Sequence, residues 1–148
     1  MPHPHLTVEN SPAGYRWLRL SRSERRNALD VSLLRAVTDS LALEPEVPVV
    51  LGSTDPRVFC AGADLTISQA ERAAVSDLIY TCCETIVTRP GPVIAVLTGA
   101  AVGGGAQLAA APDQIGQQPG ADREVHAARA DPAQPGRRSR DPQVGRCS

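Results

Sequence analysis

The segment that most restricts the fold runs from Val93 to Ala111. Val93-Ile-Ala-Val-Leu97 is uniformly apolar; the chain then passes through Thr98-Gly-Ala-Ala-Val102 and three consecutive glycines, Gly103 to Gly105, into Ala106-Gln-Leu-Ala-Ala-Ala111. An apolar run, then breakers, then helix formers is the order strand, glycine loop, helix start. Glycine loses more backbone freedom on folding than any other residue, so three in a row imply a backbone that must come very close to something. Two neighbours satisfy that demand. One is a negative oxygen, because the amides that open a helix have no partner within it and carry the positive end of its dipole. The other is a strand or helix packed hard against the loop. A lone glycine cluster fits both, but it does not fit a nucleotide loop: Leu108 occupies the last position of a Gly-x-Gly-x-x-Gly pattern, and no Gly-Lys-Ser/Thr follows.

The preceding chain builds towards this segment. Leu6-Thr-Val8 and Tyr15-Arg-Trp-Leu-Arg-Leu20 alternate apolar with polar, and Asn10-Ser-Pro-Ala-Gly14 is rich in turn formers, which predicts a hairpin. A charged loop, Arg22-Ser-Glu-Arg-Arg26, leads to Asp30, a good N-cap for a helix with Leu33, Leu34, Val37 and Leu41 on one face; Pro45 stops it. Val47-Pro-Val-Val-Leu51 reads as a short buried parallel strand. After a loop from Gly52 to Val58 comes Phe59-Cys-Ala-Gly-Ala-Asp-Leu65. Ser68 and Glu71 then have the reciprocal capping-box spacing ahead of a helix with Val75, Leu78, Ile79, Cys82, Cys83, Ile86 and Val87 on its apolar face, ended by Pro90. Helices alternating with apolar strands define an α/β layer with a largely parallel sheet, whose ligands bind at the carboxyl ends of the strands. Two loops leave that end, Phe59 to Leu65 and Gly99 to Gln107.

Composition excludes several classes. The net charge is -1, and all fifteen basic residues are Arg, interspersed with acids, so no nucleic-acid footprint is implied. No apolar run approaches the roughly 18 residues of a membrane span, and Met-Pro-His-Pro-His lacks the regions of a signal peptide, so a cytosolic location is expected. The four cysteines, Cys60, Cys82, Cys83 and Cys147, form no Cys-x-x-Cys, and His3, His5 and His126 add no ligand spacing, so neither a disulfide framework nor a metal site is expected. From Asp113 the character changes: the last stretch has only Ile115, Val125 and Val144 as large apolar side chains, no Leu, and six Arg. Such a segment cannot bury enough apolar surface to offset its chain entropy, so residues 113–148 are read as a disordered tail to a domain at 1–112.

Four motifs together resemble the crotonase superfamily of enoyl-CoA hydratases and isomerases: Ser23-Glu-Arg-Arg-Asn-Ala-Leu29, Phe59-Cys-Ala-Gly-Ala-Asp-Leu65, Pro92-Val-Ile-Ala-Val-Leu-Thr-Gly99 and Ala101-Val-Gly-Gly-Gly-Ala-Gln-Leu108. The resemblance implies an incomplete crotonase-like (ClpP/crotonase) ββα spiral core. It implies an acyl-CoA thioester as substrate, with coenzyme A part of that substrate and no separate cofactor. The backbone N–H groups of Ala61 and Gly104 would form an oxyanion hole, while Gly62, Gly103 and Gly105 let the backbone turn and approach. Arg25, the backbone of Asn27, Ala28 and Leu29, and Ala63, Asp64 and Leu65 would lie along the CoA. For Asp64 the residue type itself favours a cap on local amides.

The family's hydratases carry a glutamate where this chain has Gln107, and a second near Ala127, where the family pattern is absent. A neutral amide can hold a water but cannot take its proton, and loss of one general acid/base costs about 10²–10⁴ in rate. Two readings therefore stand: an acyl-CoA enzyme with its base elsewhere, or an inactive remnant that at most binds CoA thioesters or associates with a complete relative. The family's trimer-forming elements also lack a counterpart after Ala111, as in a truncated or frameshifted relative. On that expectation, the gene's other two reading frames beyond the Ala111 codon encode the missing motifs; frames without them count against it.

Overall fold

The computed structural model describes residues 2–116. Strands β1 (Leu6–Asn10) and β2 (Arg16–Leu20) form the expected antiparallel hairpin, with Leu6 opposite Leu20 and Asn10 opposite Arg16. Gly14 takes a left-handed φ of 87° in the turn, which glycine accommodates without a Cβ penalty. Strands β3 (Val49–Ser53), β5 (Val93–Val96) and β7 (Gln114–Gly116) add in parallel to give the order β1-β2-β3-β5-β7. β3 starts at Val49 rather than Val47, because Pro48 has no N–H to give a ladder; its carbonyl accepts from Arg16 instead.

Helices α1 (Val31–Ala42) and α2 (Gln69–Thr88) pack on one face of this sheet. Both start as their caps predict: Asp30 accepts from the Leu33 N–H at 2.8 Å, and Ser68 and Glu71 exchange bonds at 3.2 and 3.0 Å. Leu33, Leu34, Val37 and Leu41 of α1 meet Val75, Ile79, Cys82 and Ile86 of α2 over Leu18, Leu20, Val49 and Leu51. Val87, expected on the apolar face of α2, is instead 67% exposed, one step around the helix from buried Ile86. A smaller cluster of Tyr15, Val50, Ile94 and Val96, with Trp17, lies on the opposite face, so the central strands are apolar on both sides.

Three short elements escaped the sequence. β4 (Val58–Cys60) and β6 (Ala100–Ala101) pair in parallel as a second, two-stranded sheet, and β7 extends the main one. β7 moves the expected domain end from 112 to at least Gly116; residues 117–148 of the expected tail lie outside the described residues. Helix α3 (Gly104–Ala110) follows β6 directly. No helix among the described residues is long and apolar enough to cross a membrane.

At the amino-terminal edge of the parallel strands, one side chain ties several chain ends together. Arg89, the C-cap of α2 and only 8% exposed, donates from Nε to the Leu41 carbonyl at 3.1 Å, from Nη1 to Gly91 at 3.0 Å and from Nη2 to Val47 at 3.0 Å. Burial lowers its pKa from the ordinary arginine value, yet the three carbonyl dipoles keep the cation solvated. Arg89→Met leaves those carbonyls without a donor and is expected to cost about 3 kcal/mol or more. The readout is the urea midpoint at unchanged m-value.

Candidate functional site

Three segments converge where β4 and β6 end. The 26–29 segment bridges to the 61–64 loop through Leu29 N–H to the Gly62 carbonyl and Asp64 N–H to the Leu29 carbonyl, both at 2.8 Å. The 61–64 loop is tied to the glycine loop by Val102 N–H to the Cys60 carbonyl at 3.0 Å. The two loops singled out in the sequence are therefore neighbours.

The three glycines answer three different needs. Gly103 has φ 54° and ψ -123°, a conformation that achiral glycine adopts readily and L-residues rarely do, although a Cβ there would meet nothing. Gly105 is helical, but a Cβ would fall inside contact distance of the Cys60 carbonyl and Cβ, so helix and strand backbones touch there. At Gly104 a Cβ would meet the flexible end of Ile79 at 2.5 Å. In the partner loop, Gly62 has φ 93°, and a Cβ would lie 2.8 Å from the Val102 carbonyl. Close packing thus accounts for Gly105, while the backbone at Gly104 stays open.

The other candidates fall into groups. Asn27 is fully buried and faces inward: its side chain accepts from Arg22 N–H at 2.8 Å and donates to Ser53 Oγ at 2.7 Å and the Phe59 carbonyl at 2.9 Å. These bonds hold Arg26 and Asn27 at φ 51° and 57°, adjacent left-handed residues of a kind that sterics disfavour. The backbone of Asn27, Ala28 and Leu29, expected along CoA, is already committed inside the protein, and the Leu29 side chain is fully buried. Arg25 and Leu65 are exposed and open to a ligand.

Ala61 is the main correction. Its N–H donates to the Arg26 carbonyl at 3.0 Å, so it is not a vacant oxyanion donor. The amides of Ala63, Gly103 and Gly104 have no acceptor among the described residues. Cys60, beside Ala61, is buried, its thiol pushed up to about 11 by desolvation while Sγ donates to the Asn27 carbonyl at 3.2 Å; it is a packing residue and not a nucleophile.

Asp64 caps its loop, accepting from Thr66 N–H at 2.9 Å and Oγ1 at 2.7 Å. Arg22, missed in the sequence, reaches Asp64 at 3.1 Å and Asp30 at 3.3 Å, and donates to the Ala28 carbonyl at 2.9 Å. In a charged loop it reads as a solvated arginine; the acid-x-Thr spacing of Asp64 and Thr66 was the available signal for an Asx-type turn.

A groove of about 730 Å³ opens between α2 and α3, with Ala63, Gly103, Gly104 and Gln107 on its walls. The Gln107 side chain makes no hydrogen bond to any described residue. A larger recess of about 960 Å³, between β1 and α1, contains none of these loop residues. There His3 Nε2 lies 3.1 Å from Ser32 Oγ, but His3 Nδ1 accepts from the His5 N–H, which leaves the Nε2 hydrogen pointing at Ser32 in the neutral ring. Ser32 in turn donates to Asp30, so no serine is activated. The described residues contain no group of three or more His, Cys, Asp or Glu able to hold a metal.

Comparison with known proteins places this architecture. The sequence profile of the enoyl-CoA hydratase/isomerase family matches residues 11–119. Mouse mitochondrial methylglutaconyl-CoA hydratase is 34% identical over 117 residues, which is 74% of this chain and 37% of that protein. Mouse enoyl-CoA hydratase domain-containing protein 3, also mitochondrial, is 31% identical over 118 residues, 74% of this chain and 39% of that protein. Among solved structures, the enoyl-CoA hydratase of Bacillus anthracis superposes with a TM-score of 0.71 at 28% identity, covering 76% of this chain and 47% of the other. The enoyl-CoA hydratase of Mycobacterium smegmatis gives 0.67 at 26% identity, covering 78% and 48%. With its crotonase-like α/β fold, the chain belongs to the enoyl-CoA hydratase/isomerase family. It spans about two fifths of these curated relatives and about half of the solved chains.

Two outcomes follow from this geometry. Gly105→Ala is expected to destabilise by about 3 kcal/mol through backbone collision, whereas Gly104→Ala, meeting only a movable Ile79 terminus, stays within about 1 kcal/mol of the parent; thermal melts compare them. The Asp64 carboxyl is held below its ordinary 3.8, first by the Thr66 hydroxyl, then by the Thr66 N–H, against the opposing effect of burial, with Arg22 adding to the lowering. A depressed folded pKa stabilises the protein above the unfolded pKa, and the contribution is lost as pH falls through the folded value. The stability gap between the parent and Asp64→Asn should be constant above about pH 5 and close as pH drops below about 4. A gap independent of pH would refute the assignment.

Proposed function

We propose that this chain binds an acyl-CoA thioester in the α2–α3 groove, with the thioester carbonyl on the Gly104 N–H, and that it does not hydrate enoyl-CoA. The observation that carries the reading is the Gly104 amide: it lines the groove, has no acceptor among the described residues, and is flanked by the 61–64 loop of a family that the match to residues 11–119 establishes. A donor fixed there stabilises negative charge on the thioester oxygen, as in an enolate-like state, by about 3 kcal/mol on the analogy of acyl-transfer oxyanion holes. Ala61, whose N–H is held by the Arg26 carbonyl, is not a donor in this reading. Arg25 and Leu65 lie open for the nucleotide and pantetheine, and coenzyme A arrives as part of the substrate.

The lack of hydration follows from Gln107. It faces the groove where a hydratase of this family needs a carboxylate, and an amide can position water without accepting its proton. The lineage therefore belongs to acyl-CoA chemistry of the kind used in fatty-acid metabolism, while the present role is recognition.

The test pairs butyryl-CoA binding with crotonyl-CoA hydration. Binding without turnover is expected. Gly104→Pro removes the amide hydrogen at a first helical position, where proline is tolerated, and should weaken binding about fivefold or more. Gly104→Ala keeps the hydrogen and should bind as the parent does. Hydration gained by Gln107→Glu would show a pocket lacking only its base. Cooperative unfolding with no thioester binding would sink the proposal.

A further inference from the structure

Beyond Gly104 the groove is walled by one stripe of α2, Ser76, Ile79, Tyr80 and Cys83, facing Gln107 and Ala110 of α3. The α2 residues stand at i, i+3, i+4 and i+7, so they share a helix face. Every described side chain on these walls is uncharged: Ile79 and Ala110 are apolar, and Ser76, Tyr80, Cys83 and Gln107 offer neutral hydrogen-bonding groups. On α2 itself, Asp77 and Glu84 flank the stripe along its length, and Arg72 stands one turn before Ser76. A second carboxylate on the acyl group would thus meet no cation among the described wall residues, Arg72 standing beyond the end of the stripe.

We infer that the groove selects thioesters with an uncharged acyl chain and rejects acyl groups that carry a second carboxylate. The inference rests on the thioester reading above and narrows its substrate class. It separates this chain from methylglutaconyl-CoA hydratase, to which it is 34% identical and whose named acyl group carries such a carboxylate. The physical cause is one-sided: a neutral chain loses little on entering, whereas a carboxylate gives up hydration without gaining a partner. Because the groove is open to solvent, water recovers part of that loss, and the expected discrimination is about tenfold or more.

The test compares valeryl-CoA with glutaryl-CoA, thioesters of equal chain length that differ in a terminal carboxylate, with free CoA as baseline, in titrations of the full chain. Valeryl-CoA should bind at least about tenfold more tightly than glutaryl-CoA. Ser76→Arg, a substitution at an exposed helix position, should narrow or reverse that ratio. In a Cys147→Ser background, iodoacetamide should modify Cys83 in preference to buried Cys60 and Cys82, and saturating valeryl-CoA should protect it. Equal affinities, or a preference for glutaryl-CoA, would overturn the inference and leave the thioester site standing. Binding without protection of Cys83 would place the acyl chain outside the groove and overturn it as well. If neither thioester bound above free CoA, the thioester reading would fall too.

Discussion

The site depends on the contact between the Gly105 and Cys60 backbones. Nothing larger than hydrogen fits between them, so the start of α3 lies directly on the end of β4, and the 61–64 loop and the glycine loop are held face to face. The other tethers reinforce this apposition: Val102 bonds across to Cys60, and Gly62 is pressed against the Val102 carbonyl. The open Gly104 amide is a by-product of the arrangement. Packing takes the residue after it and conformation takes the residue before it, which leaves the middle glycine facing the groove.

A second layer of support comes from Asn27. One buried amide side chain satisfies an N–H, a hydroxyl and a carbonyl from three parts of the chain, and so sustains two adjacent left-handed residues. Buried amides of this kind stabilise only when every bond is made, and here all three are. Arg22 extends the same support to Asp30 and Asp64, joining the start of α1 to the end of the 61–64 loop, although its buried Nε has no partner among the described residues. The charged loop after β2 is therefore structural, with Arg25 and Arg26 as the cations it leaves outside.

Much of this was legible in the residues, and the division is physical. The helices are local objects, so Asp30, Ser68 and Glu71 fixed their starts, and the spacing from Leu33 to Leu41 and from Val75 to Ile86 fixed their buried faces. The central strands were readable because both of their faces are apolar. β4 and β6 were not: Val58–Cys60 and Ala100–Ala101 are too short to show a period and exist only because they find each other across the intervening α2. Three adjacent glycines announced a close approach, but only coordinates could divide the reasons among them. The engagement of Ala61 by Arg26 was equally hidden, since it depends on a left-handed turn 35 positions earlier that Asn27 stabilises from within.

The two-residue ladder of β4 and β6 has a consequence for how the groove responds to its contents. The glycine loop is tied to β4 by few backbone bonds, among them Ala100 N–H to Arg57 at 3.3 Å and Val102 N–H to Cys60 at 3.0 Å, whereas the main sheet is held by paired strands and a shared core. Such a patch opens at a lower free energy than the whole domain and does so as its own cooperative unit. An occupant bridging α2 and α3 would therefore slow amide exchange first at Ala100 and Val102, and the ladder would act as a local gauge of occupancy.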